Sequence, residues 1–522
     1  MVEPKDKHKV YIASLDVGTT TVRCHIINGL GEEVSRAKQE ITLLYPQPGH
    51  VEINPDQLWE SVVQVIKEAI KGASIQASDI KCLGISSQRC TFITWNRFTG
   101  RYYHNLITWK DLRADSIVKR RNNSYSLMCL RGGAKLLYTI TRSKRFLAGS
   151  VLKLMNAQVV CRLEWVLKNV PGVFEASIQG SALFGTIDTW LLYRLTNGRL
   201  HVTDVSCASA TALFDPFTMH WADWALYLFQ IPVAMLPTVC DTAGDHFGST
   251  SPEILGAAIP IRSSMADQSA SMYGSCCFNE GDVKLTMGTG TFLNVNTGKS
   301  PHASVAGLYP VVGWRVRDEL VYLVEGSSYD TGCLINWIQN MGLVFDVTET
   351  SDKASSVIDN GGVYFVPAFS GLQAPVNDCN AAAGFIGIKP TSTTNHVIRA
   401  VLESIACRVA QLYNILLEET DFSFARIRVD GGVSRNNFVL QLLSNLTGLI
   451  TERPQTTEMT SMGAAFLAGL ACGVWETKAE LLNLQRIDRK FHPEKSGYAN
   501  AQILLKNWLR AVQRFLSWYH NS

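Results

Sequence analysis

Residues 9–27 read KVYIASLDVGTTTVRCHII: a β-rich run that closes on Asp16, the turn VGTT, and a second β-rich run, TVRCHII. Strand, Gly/Thr turn and strand predict a hairpin. About half a chain later the same order returns as DVKLT, MGTGT and FLNVN (282–296). Gly/Thr turns are common, so either one alone reads as an ordinary hairpin. The pair at that separation predicts two related domains, each with its own turn.

Working outward, strands alternate with helices. Asn54-Pro55-Asp56 offers an N-cap followed by Pro at the first helical position, and Leu58, Val62, Ile66 and Ile70 recur at helical spacing. The segment 396–417 repeats that logic, and ARIRVDGG (425–432) reads as a strand before the helix-like NFVLQLLSNL (437–446). GISSQRC (84–90) is an apolar strand running into Gln88, Arg89 and Cys90. The alternation predicts an α/β protein, in which ligands gather outside the carboxyl ends of the strands. Asp16, Arg89 and Asp430 all stand at such ends. No linker marks the domain boundary; we expect it near SPEILGAAIPI, dividing the chain into 1–262 and 263–522.

At 522 residues the chain is too long for one core. A net charge of +3 and the lack of a long Lys/Arg block argue against nucleic acid as the main partner. The thirteen cysteines are odd in number and contain no C-x-x-C pair, which predicts free thiols in a reducing compartment. The N-terminus has no apolar core of a signal or transit peptide. The longest nearly uncharged apolar stretch, MGAAFLAGLACGVW (462–475), is shorter than the roughly 18–20 residues of a membrane span and suits a close-packed core helix. These features predict a cytoplasmic protein without a membrane span.

Glycine turns let backbone N–H groups approach phosphates, because no Cβ stands in the way. DVGTT (16–20) and MGTGT (287–291) have this form, as does DGG at 430–432, and together they predict nucleotide binding. Asp16 adds a carboxylate for Mg²⁺, and Arg23 a charge for phosphate. Two motifs are excluded: Leu293 stands where both a P-loop ending in Gly298-Lys299-Ser300 and a dinucleotide fingerprint starting at Gly288 need glycine. Asp267, in SSMADQSA, is placed to accept a proton from a hydroxyl attacking a γ-phosphoryl group, or to cap the helix that follows.

The constellation resembles the FGGY carbohydrate kinases, and among them the glycerol kinases. The resemblance runs along nearly the whole chain: LDVGTT (15–20), LYPQPGHVEINP (44–55), GISSQR (84–89), FGTIDTWLLYRLTNG (184–198), VTDVSCAS (202–209), ADQ (266–268), MGTGTF (287–292), VPAFSGLQAP (366–375), AGFIGIKPTSTTNHVIRAVLE (383–403), VDGG (429–432) and SMGAAFLAG (461–469). It implies an actin-like ATPase fold, with two RNase H-like domains flanking a catalytic cleft that takes ATP, Mg²⁺ and a small polyol. By position it implies Asp16 at Mg²⁺, and Thr19, Thr20, Arg23 and Thr289 at the phosphates. Gly332, Asn336, Gly432 and Asn436 would line the nucleotide side, Asp267 would be the general base, and Arg89, Trp109, Gln268 and Phe292 the polyol pocket.

The departures cluster on the polyol side. Glycerol kinases read Q-R-E where this chain has Gln88-Arg89-Cys90, and a thiol is a weak acceptor for a substrate hydroxyl. Lys110 replaces glutamine in the W-Q-D-x-R pattern, and NDCNAAAG (377–384) replaces W-D-P-x-A-R-G. The segment 141–165 has no counterpart of the tyrosine that touches glycerol. Such changes are similar to those of a divergent animal branch of the glycerol kinases. Losing one hydrogen-bonding partner weakens glycerol use about tenfold to a hundredfold. The resemblance thus implies ATP-dependent phosphorylation of glycerol to sn-glycerol 3-phosphate. A kinase for another small polyol or sugar, or a weakly active nucleotide-binding regulatory protein, stays open. Family members often form homo-oligomers, but no interface signature is visible.

Overall fold

The computed structural model describes residues 7–519. Both predicted hairpins form. β1 (Tyr11–Val17) and β2 (Thr21–Asn28) run antiparallel, with Asp16 opposite Arg23, and β3 (Glu33–Glu40) extends that edge. On the other side β4 (Ile80–Ser87) and β5 (Ile261–Ala266) join in parallel, so the sheet order is β5-β4-β1-β2-β3. The expected boundary at 262/263 falls inside β5, which the first sheet claims whole.

The second sheet repeats the plan with more strands. β6 (Val283–Met287) and β7 (Thr291–Asn296) form its hairpin; β8 (Tyr309–Val316) and β9 (Glu319–Ser328) extend one edge. β10 (Arg426–Asp430) lies parallel to β6, followed by β11 (Ile450–Pro454) and β12 (Ile487–Phe491), giving β8-β9-β7-β6-β10-β11-β12. In each sheet the first hairpin strand pairs in parallel with a later strand. Strand ends that point the same way are what bring distant residues to one edge.

The helices used below are α1 (Pro55–Gly72), α2 (Tyr125–Thr141), α3 (Lys144–Ser150), α4 (Val159–Asn169), α5 (Asp267–Gly274), α6 (Gly332–Asn340), α7 (Thr394–Glu419), α8 (Asn437–Thr447) and α9 (Met459–Ala471). α1 starts as expected: Asn54 Oδ1 accepts the N–H groups of Asp56 and Gln57 at 2.9 and 3.1 Å. Among the described residues α7 is the one helix long and apolar enough to cross a membrane, yet 83% of its most apolar window is buried, in the core under the second sheet.

α9 carries the small-residue stretch of 461–469 and does not pack on the second sheet alone. It lies against β1, β4 and β5 of the first sheet and crosses α5. A Cβ added at Gly463 would come within 1.8 Å of Ala270 O, and one at Gly274 within 2.0 Å of Met459 O. The two backbones touch, which is why small residues are needed there. Ser14 and Ser263 hydroxyls also donate to the carbonyls of Ser461 and Ala464, at 2.6 and 2.9 Å.

Candidate active site

Because β1, β4 and β5 are parallel, Asp16, Arg89 and Asp267 meet at one edge of the first sheet. Asp16 is buried, and its Oδ2 accepts from Arg23 Nη1 at 3.2 Å. Burial pushes the Asp16 carboxyl up to about 6; Arg23 opposes the rise, and the neighbouring Asp267 adds to it. Arg23 also lies 3.5 Å from Glu458, at the start of α9. Asp267 opens α5 as its first helical residue. The N-cap is Ala266, so the capping role does not fall to Asp267, whose Oδ1 accepts instead from the Gln268 N–H at 2.8 Å. Burial raises the Asp267 carboxyl above the usual range, with Arg89 as the main opposing charge.

Arg89 bridges the two halves. Its Nη2 donates to both carboxylate oxygens of Glu325 on β9, at 2.6 and 2.8 Å, and its Nε stands 3.5 Å from Asp267 Oδ1. The Glu325 side chain is fully buried, and the Tyr309 hydroxyl donates to it. One guanidinium is therefore held between a structural carboxylate and the candidate base. A buried charge demands such a partner, so Glu325 within the apolar run YLVEGSS was a legible but unread signal.

The first turn is tied to the polyol side through Gln88. Gln88 Oε1 accepts from the hydroxyls of Thr19 and Thr91, both at 3.1 Å, and its Nε2 donates to Gly18 O at 3.0 Å. Trp109 Nε1 donates to Thr19 Oγ1 at 3.0 Å. The Thr19 hydroxyl thus orients Trp109 and is held within the protein, whereas Thr20 at the tip is exposed. The loop carrying Trp109 is clamped by Asp111, which accepts from Val51 N and from Arg113 Nε at 2.6 and 2.8 Å. Across the cleft the Trp109 ring lies 6.0 Å from that of Tyr329, and Lys110 Nζ sits 5.4 Å from the Trp109 ring. Gln268 Oε1 accepts from Thr286 and Asn294 of the second hairpin, at 3.0 and 3.4 Å, and Phe292 is half-buried in register with Thr286.

On the second sheet, Thr289 is exposed at the tip of its turn. Gly332 starts α6 by donating its N–H to the Gly288 and Thr289 carbonyls at 3.0 Å, and a Cβ there would come within 2.5 Å of Gly288 O. Gly431 (φ 85°) is equally tight against Met287 O, but a Cβ at Gly432 would meet nothing within 4 Å. Asp430, at the strand end, is paired with buried Lys284 at 2.7 Å and accepts from Ser271 at 2.6 Å. Asn336 is exposed on α6. Asn436 is instead committed to α8: its Oδ1 accepts from Val439 N at 3.1 Å and its Nδ2 donates to Thr350 at 3.0 Å. The open space beside Gly432 and the two exposed threonine tips fit a nucleotide, and the buried Asp16 carboxylate, short of positive charge, fits a divalent cation.

Two further groups set the geometry without facing the cleft. Ser206 Oγ donates to Asp204 Oδ2 at 2.7 Å and accepts the Ala266 N–H at 2.8 Å, fixing the residue before Asp267. Among the described residues Asp188, Asp204 and Cys207 form the one buried cluster with metal-ligand proximity, but Thr186, Thr203, Thr242 and the Ser206 and Cys207 N–H groups already donate to every carboxylate oxygen in it. Buried Arg162, on α4, donates to the Cys90 carbonyl at 2.9 Å and to the Thr108 carbonyl, joining the segments that carry Arg89 and Trp109. Cys90 itself is a left-handed residue (φ 63°) whose thiol donates to Ala210 O at 3.1 Å; burial pushes it up to about 11. All thirteen cysteines are unpaired.

Both halves match known proteins. Residues 11–274 match the N-terminal domain of the FGGY family of carbohydrate kinases, and residues 283–472 its C-terminal domain. The chain is 47% identical over 521 residues to glycerol kinase 5 of Danio rerio, covering 98% of each. It is 46% identical over 512 residues to glycerol kinase 5 of Homo sapiens, covering 98% of this chain and 96% of that one. Among solved structures it superposes on Plasmodium falciparum glycerol kinase with ADP at a TM-score of 0.86 and 28% identity, covering 97% of this chain and 98% of the other.

Proposed function

The chain belongs to the FGGY family of carbohydrate kinases, and from that premise we propose that it transfers the γ-phosphoryl group of ATP to a primary hydroxyl of glycerol, giving sn-glycerol 3-phosphate and ADP. The observation that carries this reading is the meeting of Asp16, Asp267 and Arg89 at one sheet edge, with Arg89 3.5 Å from Asp267. Asp267 takes the proton of the attacking hydroxyl as that oxygen bonds to phosphorus and the bond to the ADP oxygen breaks. A carboxylate raised by burial is the better base for this step. Arg89 and the Trp109 indole orient the polyol. Thr20, Thr289 and the N–H groups of the two turns face the phosphates, with Gly332 holding the second turn against α6 and Gly432 leaving room for the nucleotide. Asp16 would hold Mg²⁺, which when bound neutralises charge on the phosphates.

A second reading rests on Cys90. Its thiol is turned to Ala210 O and offers a hydroxyl no carboxylate, so a different small polyol or sugar would lose nothing there. We further propose a cytoplasmic location, since thirteen unpaired thiols persist in a reducing compartment. Purified protein with ATP, Mg²⁺ and saturating glycerol should release ADP, and Asp267→Asn should lower the rate by a factor of about 10²–10⁴. No glycerol-dependent turnover above that variant overturns the proposal. A panel of trioses, tetritols and pentuloses separates the two readings by kcat/KM.

A further inference from the structure

Between Asp115 and Glu164 the chain has ten lysines and arginines and no acidic residue, although its net charge is only +3, so the rest of the chain is net acidic. Three of the cations are consecutive, Lys119-Arg120-Arg121, and the others are spread over residues 131–162. The middle of this stretch, residues 125–150, folds into the antiparallel pair α2 and α3, between a helix at Asp115–Asn122 and α4.

α2 is apolar on two opposite sides. Leu127 and Ala134 face the core, while Tyr125, Met128, Leu136 and Ile140 are 87, 55, 63 and 71% exposed. Those four residues, with exposed Cys129, Gly132 and Gly133 between them, fall on one stripe of a 3.6-residue helix. The stripe runs from residue 125 to 140, about 22 Å at 1.5 Å per residue. Exposed Lys135, Arg142, Lys144 and Lys153 flank it, and none has an acidic partner among the described residues. The other six are engaged: Lys119 with Asp115, Arg120 and Arg121 with Glu164, Arg145 with Asp215, and Arg131 and Arg162 with backbone carbonyls.

We propose that the α2–α3 hairpin is a peripheral docking surface for an anionic lipid bilayer, with the apolar stripe entering the boundary between headgroups and acyl chains and the unpaired cations meeting the headgroups. Charge complementarity selects this occupant. A second copy related by a two-fold axis would set the same cations against themselves. The stripe's large side chains also stand well out into solvent, suited to a deformable surface that closes around them. The docked hairpin would hold the kinase at the membrane while leaving its cleft, on another face of the first half, open to substrate.

The test uses the full chain and sedimentation with vesicles of phosphatidylcholine alone or with one-third phosphatidylserine. Binding to the phosphatidylserine vesicles at least about tenfold tighter than to the neutral ones, and released by high salt, is expected. Leu136→Ser/Ile140→Ser and Lys135→Glu/Lys144→Glu should each weaken it about tenfold or more with turnover and melting temperature unchanged. The proposal is overturned by equal sedimentation with both vesicles, by none with either, or by variants that bind like the wild type. Two results give the face to another occupant and overturn it as well: a wild-type dimer that Leu136→Ser/Ile140→Ser dissociates, or retention on polyglutamate without binding to the anionic vesicles.

Discussion

Glu325 controls the site through a residue it holds rather than through the substrate. With its carboxylate in place, Arg89 is shared between Glu325 and Asp267. In Glu325→Gln the guanidinium keeps only Asp267 as a counter-charge, so the candidate base becomes a weaker one. A fall of about tenfold to a hundredfold in kcat is expected, and the acid limb of the pH profile should move to lower pH. Asp16 tells the opposite story, of function costing stability. Its carboxyl is raised by burial to about 6, above the ordinary value of 3.8, so the folded state holds the proton more tightly than the unfolded one. Stability from this group is complete below about pH 4 and lost as the pH rises through about 6, on the order of 3 kcal/mol in full. Ligand-free Asp16→Asn should therefore melt higher than the wild type at pH 8, with the difference vanishing near pH 4, while its turnover is lost. Asp16, Arg89 and Asp430 were legible because periodicity marks where strands stop, and Asp267 because a carboxylate in SSMADQSA precedes the second Gly/Thr hairpin. Glu325 showed itself only as a charge in an apolar run, and its partner Arg89 stayed hidden, as did those of Arg162, because they lie more than fifty residues away.

At the scale of elements, hairpins and helices were readable and their mutual placement was not. Gly/Thr turns between β-rich runs fixed both hairpins, and Asn54-Pro55 fixed the start of α1. The start of α5 misled the cap alternative, since an Asp before a helix is equally at home as its first residue. The VTDVSCAS segment gave no sign that it would hold α5 from outside. Ser206 ties Asp204 to the Ala266 N–H, so Ser206→Ala leaves a buried donor unpaired at a cost of about 1–3 kcal/mol. Because the displaced residue neighbours Asp267, kcat should fall while KM for ATP stays unchanged. Steady-state kinetics with ATP and glycerol varied separately measures that split.

At the scale of the molecule, two sheets share one plan, and the cleft between them is spanned by Arg89–Glu325 and by Trp109 against Tyr329. The repeat was visible in the two turns alone, whereas the return of α9 to the first sheet was not, because packing between residues some 450 positions apart leaves no local pattern. A fragment of residues 1–280 lacks α9 and leaves one face of β1, β4 and β5 uncovered. It should lack near-ultraviolet circular dichroism and bind a hydrophobic dye strongly. The contact of Gly463 with Ala270 also sets an order of events during synthesis. The ribosome makes the first sheet early but releases the helix that seals it only after most of the second sheet, so the nascent first half must wait with an apolar face open. That interval, in which the exposed face is open to aggregation, is where a chaperone would matter most to this protein.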